Sequence, residues 1–216
     1  MLKKPLHRVF IVLLALVTGV LISSALYAVT GFSLFGDPSD NHLIASDSSN
    51  AELVDMAYDV VELIKQNDFN TLSRYVHPEY GVVFSPSATI SLSTNRRFDA
   101  EQVAAFAADR NPYSWGVQDG SGEPIMMTPA EYISEFVYPM DFSSAPVMGV
   151  NYIVRKGNAL ENITEVFTDV QFVDFHFPGT DSDPMNGHSW STLRLGFEEH
   201  DGRLRLTVIV RSVWTV

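Results

Sequence analysis

A long apolar run near the N-terminus limits what this 216-residue chain can be more than any other feature of its sequence. The segment from Val9 to Gly36 contains no Asp, Glu, Lys, Arg or His. Its first part, Val9 to Val29, would be roughly 31 Å long as an α-helix, which matches the hydrocarbon core of a bilayer. The run therefore predicts a single membrane-spanning helix over residues 9–29.

The charges on either side of this run predict its orientation. All the basic residues of the tail, residues 1–8, precede the run, whereas the first acidic residue, Asp37, follows it. The positive-inside rule then puts the N-terminus in the cytoplasm and the rest of the chain outside. We expect a single-pass protein of the cell membrane, whose first partner is the membrane itself, bound through the N-terminal helix.

A cleaved signal peptide is the alternative reading of the same run. Cleavage after Ala28 would place Leu26 at the −3 position, where small residues are preferred, and the run exceeds the usual length of a signal-peptide core. The sequence favours an uncleaved anchor, and a secreted or periplasmic protein stays open as the alternative.

The charge balance excludes some partners for the rest of the chain. Beyond the tail there are 11 basic residues against 26 acidic ones. Nucleic acids and anionic lipid headgroups both need a positive surface, so we expect no nucleic-acid partner. The sequence contains no Cys, so neither a disulfide nor a lipid-attachment cysteine is available.

Composition and periodicity divide the remainder into a linker, residues 30–50, and one extracytoplasmic domain, residues 51–216. The linker is rich in Gly, Asp, Pro, Ser and Asn. Leu53, Ala57 and Val60 follow it on one helix face, and a short helix is predicted over Asp68–Val76.

Two further helix starts are predicted. Asp99 can cap a helix with Gln102 three residues later. Thr128, Pro129 and Glu131 form a start signal with a cap, a proline at the first position and a reciprocal glutamate.

The last third of the chain changes to a period of two. It predicts long strands over Glu165–Phe177, Trp190–Glu199 and Arg203–Thr215. An earlier strand or strand pair is predicted over Tyr80–Phe84 and Thr89–Thr94. In the last of them, one face is expected to carry Leu204, Leu206, Val208 and Val210. Helices first and a meander last predict an α+β fold in which helices pack on one face of a curved antiparallel sheet.

Four short stretches carry a resemblance to known proteins: residues 75–82 (YVHPEYGV), 119–125 (DGSGEPI), 136–138 (FVY) and 213–216 (VWTV). With the element order, they resemble the cone-shaped nuclear transport factor 2-like superfamily over residues 51–216, and more narrowly a group of uncharacterised bacterial exported or lipid-anchored proteins. The resemblance implies a cone-like fold. It implies no particular chemistry, because that superfamily includes enzymes, binding modules and assembly domains.

Three residues are the candidates for catalysis. Alternation in the predicted strand places Asp174 and His176 side by side on one face, where the aspartate could orient the imidazole as a general base. A solvent-facing or salt-bridged pair is the structural alternative. His77 precedes Pro78 at a predicted helix end, where a cap on the terminal carbonyls is the alternative to a catalytic role.

Trp115, Trp190 and Arg194 are the candidates for a ligand-binding site, because aromatic and cationic groups often line pockets; core packing is the alternative for the tryptophans. Residues 181–188 superficially resemble a calcium loop, but Pro184 interrupts them and Thr192 stands where the bidentate glutamate would be. We therefore expect a surface turn there, no metal site and no cofactor.

Three functions stay open at this point. The first is a membrane-anchored extracytoplasmic module, without enzymatic activity, that binds a small ligand or a protein partner. The second is an acid–base enzyme of the isomerase or dehydratase type that uses Asp174 and His176. The third is an assembly subunit of an envelope complex, which would act as a homodimer or with another protein.

Overall fold

The computed structural model describes residues 48–118, 121–179 and 189–214. Within these ranges lie five α-helices, α1 to α5: Ser48–Gln66, Phe69–Leu72, Ala100–Ala104, Pro129–Tyr132 and Ile163–Val166. The same ranges contain eight strands, β1 to β8: Val82–Ser85, Arg96–Phe98, Tyr113–Val117, Pro124–Met127, Val147–Val150, Gln171–Phe177, Ser191–His200 and Arg203–Val213. The predicted tail, the membrane helix and most of the linker lie outside the described residues, as does the calcium-like loop.

Six strands form one sheet in the order β2-β1-β8-β7-β6-β5, and β3 pairs with β4 in a separate hairpin. From β5 to β8 each strand is antiparallel to the next, which is the predicted meander. The prediction of a purely antiparallel sheet was wrong, because β1 lies parallel to β8. The described strands β2 and β5 form the two edges, so the curved sheet is not closed. The presence of both helices and this sheet confirms the α+β fold class.

The main core lies between α1 and one face of the sheet. The predicted apolar face of α1 is confirmed, since Leu53, Ala57 and Val60 are buried against Val173 and Phe175 of β6. Aromatic rings fill much of the remaining space: Phe84, Phe98, Phe106, Trp115 and Tyr132 contact one another at centroid distances of 3.9–6.2 Å. Burial of this apolar surface is the main source of the fold's stability.

A second, smaller cluster covers the opposite face of the sheet and consists of Val83, Ile90, Ile163, Phe172, Val208 and Val210. Because Ile163 begins α5, this helix packs on the face opposite to α1. The prediction that all helices lie on one face was therefore wrong for α5. The segment was predicted as part of a strand from Glu165, but the strand begins only at Gln171.

Two predicted helix starts are confirmed by complete capping boxes. Asp99 accepts a hydrogen bond from the N–H of Gln102 at the start of α3, and Thr128 does so from Glu131 at the start of α4. After α4 the chain continues into a π-helical turn, Ile133–Val137, which the sequence pattern did not predict. Such turns are rare and often lie at functional sites.

A β-bulge interrupts the pairing of β7 with β8. Gly196 pairs with Val208, but Phe197 pairs with Leu206, so Thr207 is the extra residue. The Thr207 hydroxyl donates to the carbonyl of Gly196 at 3.2 Å, which fixes the bulge on the neighbouring strand.

The bulge reverses the faces of β8 along its length. Leu204 and Leu206, before it, and Ile209, after it, belong to the main core, whereas Val208 and Val210 belong to the second cluster. The prediction that Leu204, Leu206, Val208 and Val210 share one face was therefore wrong. A strict period of two fails wherever one residue is inserted into a strand.

Of the two predicted runs, Tyr80–Phe84 is confirmed as the strand β1, whereas Thr89–Thr94 is not a strand, since these described residues form bends, turns and irregular structure. The Asn162 side chain accepts a hydrogen bond from the N–H of Ile90 and donates one to its carbonyl, at 2.8 and 3.0 Å. The Asn95 side chain accepts from the N–H of Ser91 at 2.7 Å. Side chains thus replace the ladder partners that a strand would need.

None of the helices in the described ranges is both long enough and apolar enough to cross a membrane.

Candidate functional site

Asp174 and His176 share one face of β6, as predicted, and that face is the one covered by the second cluster. Both side chains are buried. The Asp174 carboxylate accepts hydrogen bonds from the Arg194 guanidinium at 2.6 and 2.9 Å and from the N–H of Val154 at 3.1 Å. The aspartate is therefore bound to an arginine and a backbone amide.

Arg194 is the centre of a buried ion cluster. Its side chain is fully buried and bonds the carboxylate of Glu161 as well as that of Asp174. Burial opposes the positive charge, but the hydrogen bonds and charge of Asp174, together with the charge of Glu161, outweigh it and raise the pKa of Arg194. These ion pairs attach the segment around Glu161 to the face of the sheet that the second cluster covers.

His176 and Trp190 lie next to this ion cluster. The Nδ1 atom of His176 shares a hydrogen bond of 2.7 Å with the hydroxyl of Thr192, on the paired strand. The Trp190 ring, also buried, lies 5.9 Å from the imidazole, and the Arg155 guanidinium lies 5.8 Å from the indole centroid. Burial lowers the pKa of His176.

His77 is buried and caps a turn. Its Nδ1 atom accepts hydrogen bonds from the N–H groups of Glu79 and Tyr80 at 3.2 and 3.0 Å, and its ring stacks on Tyr80. The imidazole therefore caps the turn that follows it, whereas the sequence had suggested bonds to the carbonyls of the preceding helix. Burial and the neighbouring His200 lower its pKa.

Trp115 is fully buried in the main core. Its indole N–H donates to the carbonyl of Met127 at 2.9 Å, and its ring stacks on Tyr132 with the two planes 3° apart. No solvent-facing surface remains on this side chain. The geometry is that of a core residue.

A cleft of about 370 Å³ lies elsewhere, and we call it the Arg211 cleft. Four parts of the chain form it: the end of β1, the β3–β4 hairpin, the π-helical turn and the end of β8. Its lining consists of Pro86, Val117, Gln118, Ile125, Glu135, Phe136, Arg211 and Val213. Most of these side chains are apolar, and three polar groups share the cleft with them. Pockets for small ligands typically measure about 300–1,000 Å³ and have this kind of lining.

Among the described residues, Arg211 is the only cation that lines this cleft. One guanidinium nitrogen, Nη1, donates to the carbonyl of Phe136 at 3.0 Å, at the end of the π-helical turn. Within the described part of the chain, the buried Nε atom has no hydrogen-bond partner and no carboxylate forms an ion pair with this guanidinium. Burial lowers the pKa of Arg211 to about 10, so the group stays charged at neutral pH.

No lining residue of this cleft was a site candidate from the sequence, although Ile125, Phe136 and Val213 lie in the stretches that carry the resemblance. The available signal was Arg211 itself, a cation that follows the apolar run Val208–Val210 near the end of β8. Its cleft partners come from segments far away in sequence, so no local motif links them. The candidates that the sequence did suggest, Asp174, His176, His77, Trp115, Trp190 and Arg194, do not line the Arg211 cleft.

Fold and cleft together define an α+β protein with a curved, open sheet and a small, mostly apolar pocket that contains the half-buried Arg211. No protein-family model matches the chain, and no curated protein matches it. The solved structures that are similar to it include the following two. One is a candidate calcium/calmodulin dependent protein kinase II association domain from Xanthomonas campestris, with 14% identity over 83% of this chain and 97% of that one, at a TM-score of 0.35.

The other is an NTF-2 like protein of unknown function from Shewanella oneidensis MR-1. It is 12% identical, covers 76% of this chain and 98% of its own, and has a TM-score of 0.30. Its description carries the superfamily name that the sequence motifs suggested.

Proposed function

We propose that this chain is a membrane-anchored extracytoplasmic module that binds a small carboxylate with an apolar body in the Arg211 cleft. The anchor is the predicted helix over residues 9–29, and the binding domain is the cone-like, nuclear transport factor 2-like domain predicted after it. The observation that carries the proposal is the half-buried Arg211 guanidinium, which no carboxylate of the described residues pairs.

The chemistry of the cleft favours a carboxylate over other small ligands. A guanidinium presents parallel N–H donors that match the two oxygens of a carboxylate, and such charge-assisted bonds are the strong ones. The walls formed by Val117, Ile125 and Phe136 suit a hydrocarbon body. Gln118 and Glu135 add polar groups that could orient a further substituent.

The volume of about 370 Å³ limits the ligand to a small molecule. Acid–base catalysis by Asp174 and His176 is less favoured by this geometry. Asp174 bonds Arg194 and a backbone amide, and neither residue lines the Arg211 cleft.

The test uses the full chain, purified in a non-ionic detergent, and measures binding by calorimetry. The ligands are butyrate and benzoate, each compared with its neutral amide, butyramide or benzamide. We expect the carboxylates to bind and their amides to bind much more weakly. The variant Arg211→Gln should lose about 10-fold or more in affinity, because one charge-assisted hydrogen-bond pair is removed.

Two further variants separate charge from position. Arg211→Lys keeps the positive charge but loses the planar fork, so an intermediate loss is expected. Arg110→Gln removes an exposed arginine elsewhere and should bind like the wild type. Melting temperatures show whether loss of the bond to Phe136 disturbs the fold. Equal carboxylate affinity in the wild type and Arg211→Gln, or no carboxylate binding at all, would overturn the proposal.

A further inference from the structure

A second concave surface lies near the start of β8, and we call it the arginine groove. It measures about 500 Å³ and is lined by Glu52, Met56, Thr71, Arg74, Tyr75, Arg203, Leu204 and Arg205. The lining comes from α1, from the region around the short helix α2, and from β8. Three arginines and one glutamate therefore share one cavity.

This concentration of positive charge is unusual for the chain. The described ranges contain 11 basic and 20 acidic residues, so acidic side chains predominate over the surface as a whole. Like charges placed together repel one another, and a protein normally offsets them with nearby carboxylates. Glu52 lines the groove and Asp68 interacts electrostatically with Arg74. Among the described residues, however, none of these three arginines lies within ion-pair distance of a carboxylate.

Arg205 is held in place at the base of the groove. Its Nη1 atom donates to the carbonyl of Arg74 at 2.8 Å, across 131 positions of sequence. Its Nε atom is buried and has no hydrogen-bond partner among the residues that the structure describes. Arg74 and Arg203 are exposed, whereas Arg205 is half-buried. The groove therefore combines two exposed arginines with one whose guanidinium is held by a hydrogen bond.

We infer that the arginine groove is a binding site for an oxyanion with two or more negative charges, separate from the Arg211 cleft. Three guanidinium groups offer parallel donors that match phosphate or carboxylate oxygens, and a multiply charged anion offsets their mutual repulsion. The concave shape selects a small molecule, and Met56, Tyr75 and Leu204 provide an apolar wall beside the charges.

The two sites are far enough apart to act independently. Arg205 and Arg211 lie six residues apart on the same strand, which corresponds to roughly 20 Å at about 3.3 Å per residue. At physiological ionic strength this exceeds the screening length of about 8 Å. A substitution in one site should therefore leave binding at the other unchanged.

The test titrates the full chain, in non-ionic detergent at constant ionic strength, with pyrophosphate, citrate and acetate. We expect pyrophosphate, citrate or both to bind, and acetate to bind at least about 10-fold more weakly because it carries a single charge. Binding of pyrophosphate alone identifies a phosphate site, and binding of citrate alone identifies a carboxylate site. Both results support the inference.

Two double variants with the same loss of charge provide the control. Arg74→Gln with Arg203→Gln removes two exposed groove arginines and should weaken binding by about 10-fold or more. Arg97→Gln with Arg110→Gln removes two exposed arginines elsewhere and should leave the affinity unchanged. Equal weakening by both pairs indicates only a diffuse electrostatic field and overturns the inference. Failure of both multivalent anions to bind also overturns it, whatever the result for Arg211→Gln.

Discussion

His77 accepts two backbone hydrogen bonds through Nδ1, so the folded protein needs this imidazole neutral. Burial and the nearby His200 lower its pKa below that of an unfolded histidine. The native state then binds fewer protons than the unfolded state as pH falls below about 6.5. Stability from this group is present above that pH and is lost as pH falls through the folded pKa.

We expect His77→Asn to reduce this pH dependence, because an asparagine side chain can accept a hydrogen bond from the N–H two residues later but does not titrate. Urea unfolding at pH 7.5 and 5.5 measures the difference for each protein. The drop in the free energy of unfolding should be smaller for the variant than for the wild type. Equal drops would show that this imidazole does not contribute.

The ion cluster around Arg194 gives a second prediction for single residues. Asp174→Ala leaves the fully buried guanidinium with Glu161 as its remaining carboxylate, so we expect a loss of about 3–5 kcal/mol in unfolding free energy. Thermal or urea unfolding measures this loss.

A double-mutant cycle tests whether the pair acts as a unit. Asp174→Ala combined with Arg194→Met removes both charges, and the double variant should lose less stability than the sum of the two single variants. Simple additivity would mean that the two side chains contribute separately.

At the scale of elements, Gly196 of β7 sits opposite the bulge with no space for a side chain. A Cβ atom there would lie 2.5 Å from Val208 Cγ1 and 3.0 Å from Val170 Cγ2. We expect Gly196→Ala to cost about 1–3 kcal/mol through overpacking of the second cluster.

The companion change Val208→Ala removes the methyl groups that the new Cβ meets. The double variant Gly196→Ala, Val208→Ala should therefore be more stable than additivity of the two single changes predicts. Unfolding free energies of the four proteins measure this. An unchanged free energy of unfolding for Gly196→Ala would contradict this prediction, because it would mean that the strands can move apart at the bulge.

Elements specified by neighbouring residues were predicted well, and those specified by distant ones were not. The boxes at Asp99 and Thr128 need only a cap and a partner three residues later, so the sequence shows them completely. The loop over Thr89–Thr94 depends on Asn162, which is 72 positions away from Ile90. Nothing in the local pattern distinguishes such a loop from a strand.

At the scale of the whole molecule, the α+β class and the order of the last strands followed from periodicity, whereas the site did not. The Arg211 cleft joins parts of β1, the β3–β4 hairpin, the π-helical turn and β8. The sequence identified Asp174, His176 and Arg194 as candidate site residues. It could not show that Asp174 and Arg194 form an ion pair in the buried ion cluster. Pairing between distant strands decides this.

Strand β8, with its bulge at Thr207, is a wall of both the main core and the second cluster. Residues on either side of the bulge point alternately into each, and Ile209 and Val210 are neighbours in the chain yet lie in different clusters. Neither layer of packing can separate from the sheet without disturbing the strand on which the other depends. The two layers are thereby coupled into one cooperative unit. The packing energy of the second cluster, which includes α5, therefore also opposes the unfolding of α1 on the opposite face of the sheet.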